Sequence, residues 1–235
     1  MKRLLDILVS FTGLVILSPL ILILLLLIYL NDFHSPFYRP IRVGKNRKNF
    51  RMLKFRTMVA NADKIGGSST SARDPRITYV GHFIRNYKLD EIAQLWNVLL
   101  GDMSLVGPRP QVKNHIDTCY TEKEMELLMV RPGVTDLSSI VFSDEGEILK
   151  DSVDVDLDYN QLIRPWKSRL GLIYIENQSF FLDIQLILLT IIAIFNKEKA
   201  LVSVNHLLRK YNVEEQIITV CLREKSLYPF PPPGT

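Results

Sequence analysis

The chain is 235 residues long and 47% hydrophobic, with 29 Lys and Arg against 25 Asp and Glu and a net charge of +4. That length allows one domain with a substantial core plus an appendage, and the basic balance favours an anionic partner such as nucleic acid, a membrane surface or a phosphorylated substrate. Cys119 and Cys221 lack CxxC spacing, and His34, His82, His115 and His206 are scattered, which argues against a disulfide framework or a zinc centre.

Residues 7–30 carry no charge. As a helix they reach about 36 Å, against a hydrocarbon core of about 30 Å. A secretory signal would have a shorter apolar stretch followed by a small-residue cleavage site. Ser18-Pro19 splits the run. Pro19 removes a backbone donor and clashes with the carbonyl of Val15, and the Ser18 hydroxyl is the predicted donor to a freed carbonyl. Each half is then about 18 Å long, too short to span. Lys2 and Arg3 precede the run. Arg39, Arg42, Lys45, Arg47, Lys48, Arg51, Lys54 and Arg56 follow it, with no acid between Arg39 and Arg56. Both flanks therefore favour the cytoplasmic side. The pattern predicts a re-entrant membrane helix over residues 1–31, with a kinked spanning helix as the alternative.

Residues 41–58 read as strand segments around a Gly44-Lys45-Asn46 turn. In an extended "LKFRT", Lys54 and Arg56 share one face and Leu53 and Phe55 the other. That basic face suits either anionic headgroups or a bound phosphate. "ADKIGGSSTSARDP", residues 62–75, predicts a mobile loop. Beyond it, Leu89, Ile92, Leu95, Trp96 and Leu99 follow helical spacing, and Gly101 is a C-terminal stop. Asp90 and Glu91 fall in that helix's first turn, where the dipole favours negative charge. Acids there are also routine caps. In "SLVGPRPQ", Pro108 and Pro110 fix the backbone on both sides of Arg109. A guanidinium braced in this way suits bidentate phosphate recognition. Asp154-Val155-Asp156 lies within a run of acids, and reads either as a solvated face or as a divalent-metal pair. Ile184–Phe195 is apolar and about 18 Å long, which fits a core helix or an in-plane membrane helix. The terminal "PFPPPGT" predicts an extended, poorly ordered end.

The ordered set "KRLLD", Ser-Pro, "KFRTM", "DPRIT", "LDEIAQLWNVLLGDMSLVGPRP", "RPGVT" and "ENQSFFLDIQLILLT" resembles the bacterial sugar transferases, the monotopic phosphoglycosyl transferases. The likeness runs from about Lys2 to Thr190. It implies a mainly helical α+β fold: a compact catalytic domain on the cytoplasmic face of the bacterial inner membrane, a re-entrant helix broken at Ser18 and Pro19, and interfacial amphipathic helices. The implied division is residues 1–31 for the membrane helix, 32–199 for the catalytic domain and 200–235 for a tail of unassigned role.

The implied activity is transfer of a sugar-1-phosphate from a UDP-sugar to polyprenol (undecaprenyl) phosphate, with release of UMP. This is the first membrane step of a surface glycan such as an exopolysaccharide or lipopolysaccharide. By the same resemblance Asp90 is the nucleophile, forming an aspartyl-phosphosugar intermediate, and Glu91 is its partner. The two hold Mg2+, and Lys54, Arg56, Arg85 and Arg109 surround the phosphates. Partners are the UDP-sugar, polyprenol phosphate and inner-membrane lipids, with no nucleic acid, and the resemblance allows a homo-oligomer.

The sequence also departs from the family pattern. "DEIAQL" stands where "DELPQL" is common. "VTDLSSIVFSDEGE" replaces "ITGWAQVNGR" and its Arg, and Gly171 stands where many members carry an acid. Arg164 and Lys167 are the cations near that gap. Two other readings stay open on the residues alone. One is a conventional metal-dependent glycosyltransferase using Asp154 and Asp156, and the other a non-catalytic basic membrane scaffold.

Overall fold

The computed structural model describes residues 1–66 and 69–235. In chain order the elements are helices α1 (Lys2–Ile16) and α2 (Ser18–Asp32), strands β1 (Phe37–Tyr38), β2 (Ile41–Val43), β3 (Asn49–Arg51) and β4 (Lys54–Phe55), helices α3 (Tyr79–Asn86) and α4 (Leu95–Leu100), strand β5 (Ser104–Val106), helix α5 (Lys113–Cys119) and strand β6 (Gly133–Thr135). Helices α6 (Leu137–Val141), α7 (Glu145–Ile148), α8 (Val155–Asp158), α9 (Arg164–Asn177), α10 (Phe180–Phe195), α11 (Lys197–Lys210) and α12 (Glu215–Leu222) complete the chain. The fold is mainly helical α+β.

α1 and α2 meet at Leu17 with a bend of 63°, and among the described residues no single helix is long and apolar enough to cross a membrane. The break has the chemistry the sequence predicts: Ser18 Oγ donates to Val15 O at 2.8 Å. Both ends of the pair attach to one body. Lys2 Nζ donates to Val106 O, Tyr174 OH and Asp183 Oδ2 at 2.8–2.9 Å. Asp6 is buried and accepts from Ser104 Oγ and Leu105 N. A buried carboxylate is costly unless satisfied in this way. At the other end Asp32 takes both guanidinium nitrogens of Arg56, at 2.6 and 2.7 Å. Between these anchors Leu8, Phe11, Val15, Ile16, Leu22, Leu26 and Leu30 are exposed. The result is a bent apolar pair with one face packed on the domain, at Ser10, Leu24 and Ile28, and the other uncovered.

Three two-stranded sheets support the loops: β1 with β4, β2 with β3 in the predicted hairpin, and the parallel pair β5–β6. The parallel pair continues into an unusually close approach. A Cβ on Gly133 would lie 2.1 Å from Gly107 N, and one on Gly107 would lie 2.4 Å from Arg131 O. Only glycine admits that contact, and it fixes where the Pro108-Arg109-Pro110 segment begins.

The main core gathers Trp166, Leu170 and Tyr174 of α9, Leu182 and Leu186 of α10, Val204 and Leu208 of α11, and Leu137 and Ile140 of α6. α10 unites both predicted readings. Leu182, Leu186 and Leu189 are buried, while Phe181, Leu188, Ile191 and Phe195 are exposed. An apolar helix with one face in the core and the other uncovered is suited to lie in a membrane interface.

Two expectations need correction. The described residues of the 62–75 loop are tied down. Ser69 N donates to Asp156 Oδ1, Ala72 N donates to Gly146 O, and Arg76 forks onto Asp74. Gly67 and Ser68 of that loop lie outside the described residues. The chain end is extended but docked. Phe230 stacks on Trp166 with ring centroids 4.3 Å apart, the Arg169 guanidinium lies 4.6 Å from the Phe230 ring centre, and Thr121 Oγ1 donates to Pro233 O. Aromatic stacking and cation–π attraction outweigh the polyproline segment's tendency to stay solvated.

Candidate active site

The site is assembled where α3 turns into the acidic segment. Thr78 caps α3 by accepting from Gly81 N at 2.9 Å. After Tyr87, Lys88 adopts left-handed backbone, φ 56°. For a non-glycine residue this costs about 1–2 kcal/mol. The turn it makes starts a 3-10 segment, Leu89–Gln94, that runs into α4 and ends at Gly101 with φ 96°. The predicted single α-helix is thus a 3-10 turn followed by an α turn, and Trp96 is half-exposed rather than core. Asp90 and Glu91 do lie in the first turn.

β4 directs Phe55 into the core beneath α2 and α3, and so turns Lys54 the other way. Lys54 Nζ lies 3.1 Å from Asp90 Oδ2 and 3.2 Å from Glu91 Oε1, bridging the two acids. Arg109 Nη2 reaches the same Glu91 oxygen at 2.9 Å. Burial opposes ionisation of Glu91, but the charges of Arg109, Lys54 and Lys88 outweigh it and hold the carboxyl well below the usual carboxylate range. In return Glu91 raises Arg109. Arg85 donates from Nε to Thr57 Oγ1 at 3.0 Å. Burial lowers its pKa, and the nearby charge of Asp90 acts against that.

Of the sequence-predicted residues, the structure brings together Asp90, Glu91, Lys54 and Arg109, with Arg85 beside them. It does not bring Arg56. β4 is only two residues long, so the alternation that would pair Arg56 with Lys54 ends before it. Arg56 instead forks onto Asp32 and donates to Ser35 O and Met58 O. It holds the end of α2.

Two features were not read from the sequence. Desolvation lowers the pKa of Lys88, but Glu91 and Asp90 act on it in the opposite sense, so it belongs to the charged cluster. Its place directly before "LDE" was the available signal. Glu145 pairs with Lys167, and both charges act on Arg109. Of the two cations near the family gap, Lys167 therefore reaches the site's surroundings. Arg164 is committed to buried Glu124 at 2.8 Å and to Cys119 O.

Asp90 and Glu91 also fit a magnesium ion in kind. Mg2+ takes hard oxygen ligands, typically one or two carboxylates completed by substrate phosphates and water. The rival pair diverges: Asp154 caps α8 by accepting from Leu157 N, while Asp156 accepts from Ser69 N. Among the described residues no group of three or more His, Cys, Asp and Glu could hold a metal.

The family signature described as bacterial sugar transferase matches residues 1–197. The chain belongs to that family. This bacterial sugar transferase is 32% identical over 194 residues to the UDP-N-acetylgalactosamine-undecaprenyl-phosphate N-acetylgalactosaminephosphotransferase of Aeromonas hydrophila, covering 81% of this chain and 42% of that one. It is 32% identical over 204 residues to the UDP-glucose:undecaprenyl-phosphate glucose-1-phosphate transferase of Klebsiella pneumoniae, covering 85% and 41%. It is 32% identical over 208 residues to the exopolysaccharide production protein ExoY of Rhizobium meliloti, covering 82% and 84%. The sugar transferase thus spans about two-fifths of the first two relatives and most of the third.

Proposed function

We propose that this chain transfers a sugar-1-phosphate from a UDP-sugar to undecaprenyl phosphate at the cytoplasmic face of the inner membrane, releasing UMP and beginning a surface glycan. The names of the Aeromonas and Klebsiella relatives support the reaction class, and they differ in sugar. The observation that carries the reading is the adjacent dyad gripped by Lys54 and Arg109. In this division, residues 1–31 anchor, residues 32–199 catalyse, and residues 200–235 buttress the core.

The two acids have different surroundings, and this separates their roles. One Glu91 oxygen, Oε1, is shared by two cations, Lys54 and Arg109, which makes Glu91 the poorer nucleophile. Among the described residues Asp90 accepts from Lys54 alone. An Asp90 oxygen attacks the phosphorus that bears the sugar. The bond from that phosphorus to the bridging oxygen breaks, and its electron pair leaves with UMP. An oxygen of undecaprenyl phosphate then attacks the same phosphorus, and the Asp90 carboxylate returns. Splitting one transfer into two lets donor and acceptor react in turn. Arg109, Lys54 and Arg85 stabilise charge on the transferring and leaving phosphates. Asp90 and Glu91 would hold a magnesium ion, which would supply further charge neutralisation.

The test is nucleotide release with undecaprenyl phosphate and a panel of UDP-sugars. Release of UMP is expected with at least one sugar. Release of UDP would instead indicate a conventional glycosyltransferase, and no turnover with any sugar would indicate a scaffold.

A further inference from the structure

α3 presents three distinct faces. Val80 and Ile84 pack with Leu24 and Ile28 of α2. Arg85 turns toward Thr57 and the dyad. Tyr79, Phe83 and Tyr87 recur at i, i+4 and i+8, so they form one row along the helix and its C-cap. They are 92%, 54% and 53% exposed, and the Phe83 and Tyr87 rings lie 5.1 Å apart. An uncovered apolar row of this kind marks an interaction surface. The row lies next to the face that packs on apolar α2, on the side of the molecule that carries the membrane helix pair. It ends at the reaction centre: Tyr87 is followed by Lys88, whose left-handed turn leads directly into Asp90. Lys54 and Arg109 are held by the dyad, whereas Lys88 is exposed, stands two residues before Asp90 and makes no ion pair among the described residues.

We infer that Tyr79, Phe83 and Tyr87 form the track for the first isoprene units of the acceptor, with Lys88 receiving its phosphate. This rests on the functional reading above. The row is about 12 Å long, enough for a few isoprene units. Aromatic faces suit a branched, unsaturated chain, and a cation at the dyad end of the track meets the phosphate where it must react. A general membrane anchor needs neither the straight row nor its termination at the dyad.

The experiment compares two acceptors in detergent micelles, where docking to a bilayer is not required: undecaprenyl phosphate and a single-isoprene phosphate, which cannot extend beyond Tyr87. The variant is Tyr79→Ala/Phe83→Ala/Tyr87→Ala, and the covalent adduct formed from donor alone counts folded, competent sites in each preparation. The wild type should prefer the long acceptor in kcat/KM, and the variant should lose at least tenfold of that preference. Lys88→Ala should reduce kcat/KM for both acceptors alike. An unchanged preference in the triple variant would overturn the inference. So would equal loss on both acceptors together with weaker retention on phospholipid vesicles free of acceptor, because that pattern belongs to interfacial anchors. A wild type that releases no UMP from any UDP-sugar fails at the earlier reading instead, so the two failures are distinguishable.

Discussion

At the residue scale, the site rests on two shared contacts around Glu91. Arg109→Lys keeps the charge but loses the planar fork. If the fork grips phosphate, kcat/KM should fall about ten- to a hundredfold, on the order of 1.5–3 kcal/mol. Steady-state kinetics with both substrates measures it, and a variant within twofold of wild type would make Arg109 a structural residue. Glu91 also predicts a pH dependence. Its carboxyl is held below the ordinary 4.5, so its contribution to stability is complete above that value. The contribution is lost as pH falls toward the lowered pKa, because the unfolded chain then binds the proton first. Urea midpoints between pH 7 and 3 should drop below about pH 4.5 in the wild type and drop less in Glu91→Gln. The adjacent acids and the proline-braced Arg109 were legible because their signals are local. The place of Arg56 was not legible, because its partner Asp32 is distant in sequence and β4 is too short to carry the alternation. Lys88 was passed over because nothing in "NYKLD" marks a left-handed turn, a conformation usually taken by Gly or Asn.

At the element scale, the helix break was legible down to a single hydrogen bond, since Ser18 to Val15 is a local contact between residues three apart in sequence. What the sequence could not show is that both ends of the pair attach to one body through Lys2, Asp6 and Asp32. Those anchors predict that both ends lie on the cytoplasmic side. In a Cys119→Ser/Cys221→Ser background, a cysteine appended before Met1 and one at Ser35 should both resist a membrane-impermeant thiol reagent in intact cells. Labelling of the N-terminal site from outside would contradict the re-entrant topology. Pro19→Leu restores the missing donor and removes the clash, and should raise that labelling by straightening the pair. Arg56→Gln should lower unfolding free energy by about 1–3 kcal/mol, since it strips a charge-assisted fork from Asp32. The docked terminus was not legible, because polyproline composition describes the segment without its partner. Phe230→Ala should lower stability by about 1–2 kcal/mol through lost area and stacking on Trp166, read as a shifted urea midpoint.

At the scale of the whole molecule, one element joins the main core to the charges of the site. α9 shows the connection: Trp166 and Leu170 are buried in that core, and Lys167 between them meets Glu145 near Arg109. The fold class and family were readable because the motifs occur in a fixed order along the chain. The placement of Lys167, Glu145 and Lys88 around that site depends on tertiary packing, which no local pattern encodes. The central claim is that Asp90 becomes covalently attached to the transferred phosphosugar, and rapid-quench mass spectrometry with donor and magnesium but no acceptor tests it most directly. The predicted result is about one equivalent of UMP per enzyme, a mass increase of one phosphosugar mapped to Asp90, and loss of both in Asp90→Asn. UMP formation that requires the acceptor, with sequential kinetics and no mass increase, would contradict it, leaving the lipid phosphate as the direct attacking group.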